Sequence, residues 1–270
     1  MKVAVAQLCP GPNKAQNLAT TARILESAIA QGVDLIVLPE LTTSPYQLRD
    51  ADLSHWAEEI PTGPTLTIWK ELCHKHNIDL VAGVLEHADG RYYNSAIHIG
   101  PRGLQSYYRK IHLFGWERKR LAAGQQQPIL AQAGDAKIGS LVCYDLRFVE
   151  LVRRVALSGV QLLCVPTTWT DVGKPEPFDQ FGLPAAVHLA LGHAYANKIF
   201  MLVAGRAGAE AGVSYLGDSL IAGPNGHLIA GPAGSDSITL LVADIDPSWA
   251  NAKEIGAENH VFNDRRVDLY

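Results

Sequence analysis

Short, almost unbroken apolar runs recur along this chain, and they confine it to few architectures. They are Val3-Ala4-Val5-Ala6-Gln7-Leu8, Leu35-Ile36-Val37-Leu38, Leu80-Val81-Ala82-Gly83-Val84-Leu85, Leu162-Leu163-Cys164-Val165 and Ile199-Phe200-Met201-Leu202-Val203-Ala204. Each is too short for a buried helix and lacks the alternation of a half-exposed strand, so each reads as a strand covered on both faces. Between them lie segments of helical spacing. Residues 17–31 carry Leu18, Ile24, Leu25, Ala28 and Ile29 on one face and stop at Gly32; Leu66, Ile68, Trp69, Leu72 and His76 mark a second helix, and residues 185–197 another. Strand, helix and strand in succession predict parallel units. Residues 92–99 and 104–109 flank Gly100-Pro101-Arg102-Gly103 as a hairpin, and residues 216–222, 227–230 and 237–243 read as turn-separated strands. Residues 46–63, 115–127 and 167–182 read as loops, and the more polar residues 247–270 as a tail that wanders or crosses to a partner subunit. The expectation is one layered α/β domain over residues 1–270, with mixed sheets and its ligand site beyond strand C-termini.

Composition narrows the function classes. With 47% apolar and 19% charged residues in 270, the chain is globular and near the upper size for one core. A net charge of -4, with Arg118-Lys119-Arg120 as the basic cluster, argues against nucleic-acid binding. Cys9, Cys73, Cys143 and Cys164 show no paired spacing, which fits reduced thiols in the cytoplasm. No apolar run approaches the ~18 residues of a membrane span, and residues 1–7 lack a signal-peptide core. A cytoplasmic protein without membrane contact is expected.

The stretch Lys137-Ile138-Gly139-Ser140-Leu141-Val142-Cys143-Tyr144-Asp145-Leu146-Arg147-Phe148 delivers a thiol from a strand to a predicted helix start, where Leu146, Val149, Val152, Val155 and Ala156 take up helical spacing. A helix N-terminus would offer free N–H groups and a positive dipole end to a thiolate or an oxyanion. Glu40 and Lys110 also fall just past strand ends. Each of the three fits a plain structural role as well: a loop carboxylate, a solvated cation and a buried thiol. Residue types alone therefore leave a thiol hydrolase as one reading.

The surrounding motifs carry more. Leu38-Pro39-Glu40, Tyr108-Arg109-Lys110-Ile111-His112-Leu113-Phe114 and Cys143-Tyr144-Asp145-Leu146-Arg147-Phe148 occur in the order of the glutamate, lysine and cysteine motifs of the nitrilase superfamily of carbon–nitrogen hydrolases. The chain resembles that family, in its amidase-type branches, over essentially its whole length. Glu117, followed by Leu121 and Gly124, stands where many members carry a second glutamate; Pro166-Thr167-Thr168-Trp169, Asn197, Gly217-Asp218-Ser219 and Asp264-Arg265-Arg266 also match. The resemblance implies a four-layer α-β-β-α sandwich with two mixed sheets, assembly into homodimers or larger homo-oligomers, and no metal or organic cofactor. It implies that Cys143 attacks the carbonyl carbon of a small amide, Glu40 handles the protons, and Lys110 with the Tyr144 N–H stabilises the oxyanion of a thioester pathway, Glu117 supporting Lys110. Tyr144-Asp145 after the cysteine resembles amidases; true nitrilases usually carry Trp-Glu there. Nitrile hydrolysis, carbamoyl-amide hydrolysis and a silent scaffold are the alternatives.

The chain also departs from its relatives. His193 stands where many have arginine, Ala196 replaces a common acidic residue, and the near adjacency of Phe114 and Glu117 leaves no room for the insertion typical of omega-amidases. Tyr46, Trp116, Tyr144 and Trp169 belong to predicted rim loops and point to a partly apolar acyl pocket, with Arg147 a candidate grip for a substrate carboxylate. Cys164 and Cys9 read as quiet apolar cysteines, Cys73-His74-Lys75-His76 as a helix face, His112 as a supporting histidine, and Gly205-Arg206-Ala207-Gly208 as turns.

Overall fold

The computed structural model describes residues 1–171 and 178–269. Its strands are β1 (Lys2–Gln7), β2 (Leu35–Val37), β3 (Asp79–Ala88), β4 (Arg91–Gly100), β5 (Gly103–Arg109), β6 (Ala131–Ala133), β7 (Ala136–Ser140), β8 (Leu162–Thr167), β9 (Phe200–Gly205), β10 (Ala207–Glu210), β11 (Val213–Leu216), β12 (Leu220–Ala222), β13 (Leu228–Ala230) and β14 (Thr239–Asp244). The helices are α1 (Lys14–Ala30), α2 (Asp50–Trp56), α3 (Pro64–His76), α4 (Glu117–Arg120), α5 (Val149–Leu157) and α6 (Ala185–Asn197).

Two six-stranded sheets form, in the orders β14-β1-β2-β3-β4-β5 and β13-β12-β9-β8-β7-β6. In the first, β1, β2 and β3 are parallel and β4, β5 and β14 antiparallel; in the second, β7, β8 and β9 are parallel. The apolar runs are buried on both faces because the layers number four. Val3, Val5, Leu35 and Val37 meet Ile138, Leu162, Phe200 and Leu202 between the sheets. The alternate residues Ala4, Ala6, Ile36 and Leu38 pack under Leu25, Leu66 and Trp69 of α1 and α3. On the outer face of the second sheet, Val152 and Val155 of α5 and Val187 and Ala190 of α6 cover Leu163, Met201 and Val203. The α-β-β-α sandwich with two mixed sheets is therefore the fold.

Helix starts reflect local chemistry. α1 begins at Lys14, ahead of its apolar periodicity, because the Asn13 side chain accepts from Gln16 N at 3.0 Å and caps the first turn. Within the stretch expected as a polar loop lies α2, held by the buried Leu53 and Trp56. Gly205-Arg206-Ala207-Gly208, expected as turns, instead ends β9 and begins β10. Lys253, early in the tail, is anchored on its own chain, where its Nζ donates to Asn197 O at 3.1 Å and Lys198 O at 2.7 Å. Part of the loop expected at residues 167–182, namely 172–177, and Tyr270 lie outside the described residues.

Candidate active site

Glu40 leaves the C-terminal end of β2 and is completely buried. Gly83 on β3 fixes its backbone: Gly83 N donates to Pro39 O at 3.0 Å and Thr42 N to Gly83 O at 2.8 Å. A Cβ at Gly83 would sit 2.5 Å from the Glu40 Cα, so only glycine allows this approach. The chain then turns at Leu41, with φ 48°.

Lys110 follows β5 and is equally buried. Lys110 N donates to Asn94 O at 2.8 Å, and Gly124 N to Lys110 O at 2.9 Å. Its Nζ lies 2.7 Å from Glu40 Oε1 and 2.9 Å from Glu117 Oε2. Asn94, which the sequence reading missed, donates through one Nδ2 to both carboxylates, at 2.7 Å to Glu40 and 2.8 Å to Glu117. Both oxygens of Glu117 are engaged, since Phe114 N donates to Oε2 at 2.8 Å and Tyr46 OH to Oε1 at 3.4 Å. Glu40 differs: among the described residues no group donates to its buried Oε2.

Cys143 sits between β7 and α5, at the start of a 3-10 turn from Cys143 to Arg147, and the α-helix begins only at Val149. The expected α-helical N-terminus is thus replaced by a strained residue with φ 46°, a conformation costing about 1–2 kcal/mol for a side chain other than glycine. Asp145, fully buried, holds the turn. Its carboxylate accepts from Val142 N at 3.1 Å, Tyr108 OH at 2.9 Å and His112 N at 3.0 Å, with the His112 ring at 2.8 Å. Tyr108 and His112 flank Lys110, so one carboxylate ties the lysine and cysteine segments together. From α6, His193 Nε2 donates to Leu146 O at 2.7 Å; burial lowers the pKa of that imidazole and favours its neutral form.

Electrostatics follow from burial. Burial disfavours the Lys110 charge, but Glu117 and Glu40 outweigh it and hold the pKa above the ordinary lysine value. Burial, then the cation of Lys110 in opposition, then Glu40 leave the Glu117 carboxyl raised. The Cys143 thiol is pushed up to about 12 by burial and by Glu40, with Lys110 pulling the other way. Tyr46 is raised by burial and by Glu117 and Glu40, so it stays a phenol donor.

The cavity before the sulfur has a volume of about 160 Å³ and is lined by Phe114, Cys143, Tyr144, Arg147, Thr168 and Trp169, among others. Tyr144 and Trp169 therefore stand where the rim expectation put them. Tyr46 does not line it; this ring is buried edge-on against Trp116 at 5.8 Å and Tyr215 at 6.2 Å. Trp116, packed against Tyr46, is likewise absent from the cavity lining. A larger cleft of about 820 Å³ lies at the opposite strand ends, bordered by Asp34, Asp79, Asp135 and Asp246, with no cysteine, histidine or lysine among the described residues of its lining. Among the described residues no group of three or more His, Cys, Asp or Glu side chains is placed to hold a metal.

A buried amine between two carboxylates, beside a thiol at a strand end of an α-β-β-α sandwich, defines the class of carbon–nitrogen bond hydrolases. Residues 2–254 match the carbon-nitrogen hydrolase family, and the chain belongs to it, within the nitrilase superfamily. It is 31% identical over 274 residues to a nitrilase of Pyrococcus abyssi, covering 100% of this chain and 99% of the relative. An omega-amidase of Danio rerio is 31% identical over 282 residues, with 100% and 96% covered. The crystal structure of an amidase from Nesterenkonia sp. superposes with a TM-score of 0.80 at 26% identity, covering 100% of this chain and 94% of that one. The protein is a hydrolase of the kind that acts on amides. No helix among the described residues is long and apolar enough to cross a membrane.

Proposed function

We propose that the protein hydrolyses a small linear amide to a carboxylic acid and ammonia through a thioester on Cys143. The observation that carries this reading is the asymmetry of the two carboxylates: Glu117 has both oxygens engaged, whereas Glu40 keeps a buried Oε2 without a protein donor. A thiol held at about 12 cannot attack as a standing thiolate, so a base must take its proton as the bond forms. Glu40 takes that proton as Sγ bonds to the carbonyl carbon. It returns the proton to the amine, and the carbon–nitrogen bond breaks to release ammonia. Water then attacks the thioester, giving one proton to Glu40; the acid departs and Sγ recovers its proton. Lys110, kept cationic by its two carboxylates, and the Tyr144 N–H stabilise the oxyanion of both tetrahedral states.

A cavity of about 160 Å³ suits a short acyl group, about five water volumes. An acyl chain ending in a carboxylate would meet Arg147. The unpaired state of all four cysteines supports a cytoplasmic setting, and exposed Val149 and Tyr195 on α5 and α6 support homo-oligomer formation. The test is mass spectrometry of the protein mixed with acetamide, butyramide, succinamate, a nitrile and an N-carbamoyl amine, together with ammonia release by Cys143→Ala. An acyl adduct on Cys143 and an inactive, folded Cys143→Ala are expected. Ammonia release by Cys143→Ala sinks the mechanism; turnover of the nitrile or carbamoyl compound alone moves the substrate assignment to that class.

A further inference from the structure

Outside the reacting groups lies a buried guanidinium that the mechanism does not use. Arg206, fully buried at the junction of β9 and β10, reaches the loop that carries Glu40. Its Nη2 donates to Leu41 O at 3.0 Å and Ser44 O at 2.8 Å, and its Nη1 to Pro10 O at 3.1 Å. Leu41 is the residue after Glu40 and has φ 48°. Glu210, at the end of β10, grips the far side of the same loop: Tyr46 N donates to Oε2 at 2.9 Å and Gln47 N to Oε1 at 3.0 Å. Tyr215 OH adds a bond to Glu210 Oε2 at 2.9 Å, and Arg206 Nη1 lies 3.7 Å from that oxygen. The backbone of Arg206 faces the other half of the site, since Arg206 N donates to Thr167 O at 3.1 Å, next to Thr168 on the Cys143 cavity.

We infer that Arg206 and Glu210 are positioning residues that hold the loop of residues 40–47, and through it Glu40 and Tyr46, in register with Cys143. This deepens the proposed hydrolysis and rests on Glu40 acting as its base. A planar fork with fixed donors can set three carbonyls at once, which a flexible ammonium cannot. Buried loop carbonyls also need donors: without Arg206 the carbonyl of Ser44 would lose its donor, and that of Leu41 would keep only the bond from Ser44 N at 3.1 Å. The brace carries charge as well as geometry. The groups facing Glu40 are Lys110 beyond β5, Glu117 on α4, Cys143 at its turn, Tyr46 on the same loop, and Arg206. Arg206 itself faces Tyr215, Glu210, Glu40 and Tyr46.

The experiment measures kcat, KM and the pH profile of kcat/KM for butyramide hydrolysis, normalised to the folded fraction from near-ultraviolet circular dichroism. Arg206→Lys keeps the charge but loses the fork; kcat should fall about 10–100-fold with KM changed under about threefold and the acid limb unmoved. Arg206→Met removes both, and the acid limb should also move up by about 0.5–1 pH unit because the carboxylate loses a neighbouring cation. Glu210→Gln should cost about 10-fold in kcat and move the acid limb down, leaving Arg206 uncompensated. If Arg206→Met does not fold, the other two variants decide. Variants with unaltered kcat and pH profile per folded molecule, beside active parent protein, overturn the brace alone. Parent protein that forms no Cys143 adduct overturns the hydrolysis and the brace with it.

Discussion

The resting state of Cys143 is open to a direct test through Glu40→Gln. Burial first, and Glu40 second, push the thiol up to about 12, while Lys110 pulls it down. At pH 8 that leaves roughly one thiolate in ten thousand molecules, compared with about a quarter for an ordinary cysteine. Glutamine keeps the volume of Glu40 but removes its charge, and Lys110 remains cationic beside Glu117. Taking one negative charge from a buried thiol should lower its pKa by about 1–2 units, ten- to a hundredfold more thiolate at a given pH. The assay is ultraviolet thiolate absorbance, titrated from neutral pH to about 10. A Cys143→Ser sample subtracts the signals of Cys9, Cys73 and Cys164. The parent protein should show almost no Cys143 thiolate across that range, and Glu40→Gln should show it entering from the alkaline side while hydrolysis is lost. A thiolate at neutral pH in the parent protein, or a higher thiol pKa in Glu40→Gln, refutes the reasoning.

Three further outcomes follow from named contacts. Gly83→Ala forces a methyl against the Glu40 backbone and should cost about 1–3 kcal/mol in urea unfolding and at least tenfold in kcat. Asp145→Asn keeps shape but loses the charge that Tyr108, His112 and Val142 share; a fall in kcat of about 10–100-fold is expected, and unchanged turnover would show that the turn holds itself. Lys253, lowered to about 8 by burial and then by Arg153 and Lys198, has a folded pKa below its unfolded value of 10.5. The unfolded chain therefore binds more protons between about pH 8 and 10.5, and this group's contribution to stability rises with pH over that window. Urea midpoints measured against pH should lose this rise in Lys253→Met.

Much of the architecture was legible because burial on both faces leaves a pattern that few other environments produce. The runs at Val3, Leu35, Leu80, Leu162 and Phe200 became the central strands. Segments anchored by one or two side chains were not legible: α2 depends on Leu53 and Trp56, which a short polar sequence does not advertise. Glu40, Lys110, Glu117 and Cys143 stood out through their motifs, which the family fixes in order. Asn94 and Arg206 did not, since each acts through partners distant in sequence, Asn94 lying 54 residues from Glu40 and Arg206 lying 165 from Leu41. An amide inside a strand and an arginine between a glycine and an alanine look ordinary until the sheets close. Tyr46 was misread for a related reason: a ring in a predicted loop was assigned to the rim, yet the loop turns inward under Arg206 and buries it.

The position of Cys143 shows how the fold replaces one device with another. A helix N-terminus would have stabilised a standing thiolate, but the α-helix begins six residues later and the thiol is held protonated. What presents the sulfur is a residue with φ 46°, a conformation that a cysteine would leave if the flanking chain were free. It is not free. Asp145 fixes the turn from below through Val142 and from the side through Tyr108 and His112, and His193 fixes its far end through Leu146 O. Because Tyr108 and His112 bracket Lys110, any relaxation of the strained turn would also shift the ammonium to which the proposed mechanism assigns the oxyanion. Thiol and ammonium are thus coupled through a carboxylate that touches neither, and the proposed hydrolysis assigns proton transfer to the one carboxylate oxygen, Glu40 Oε2, that this buried network does not consume.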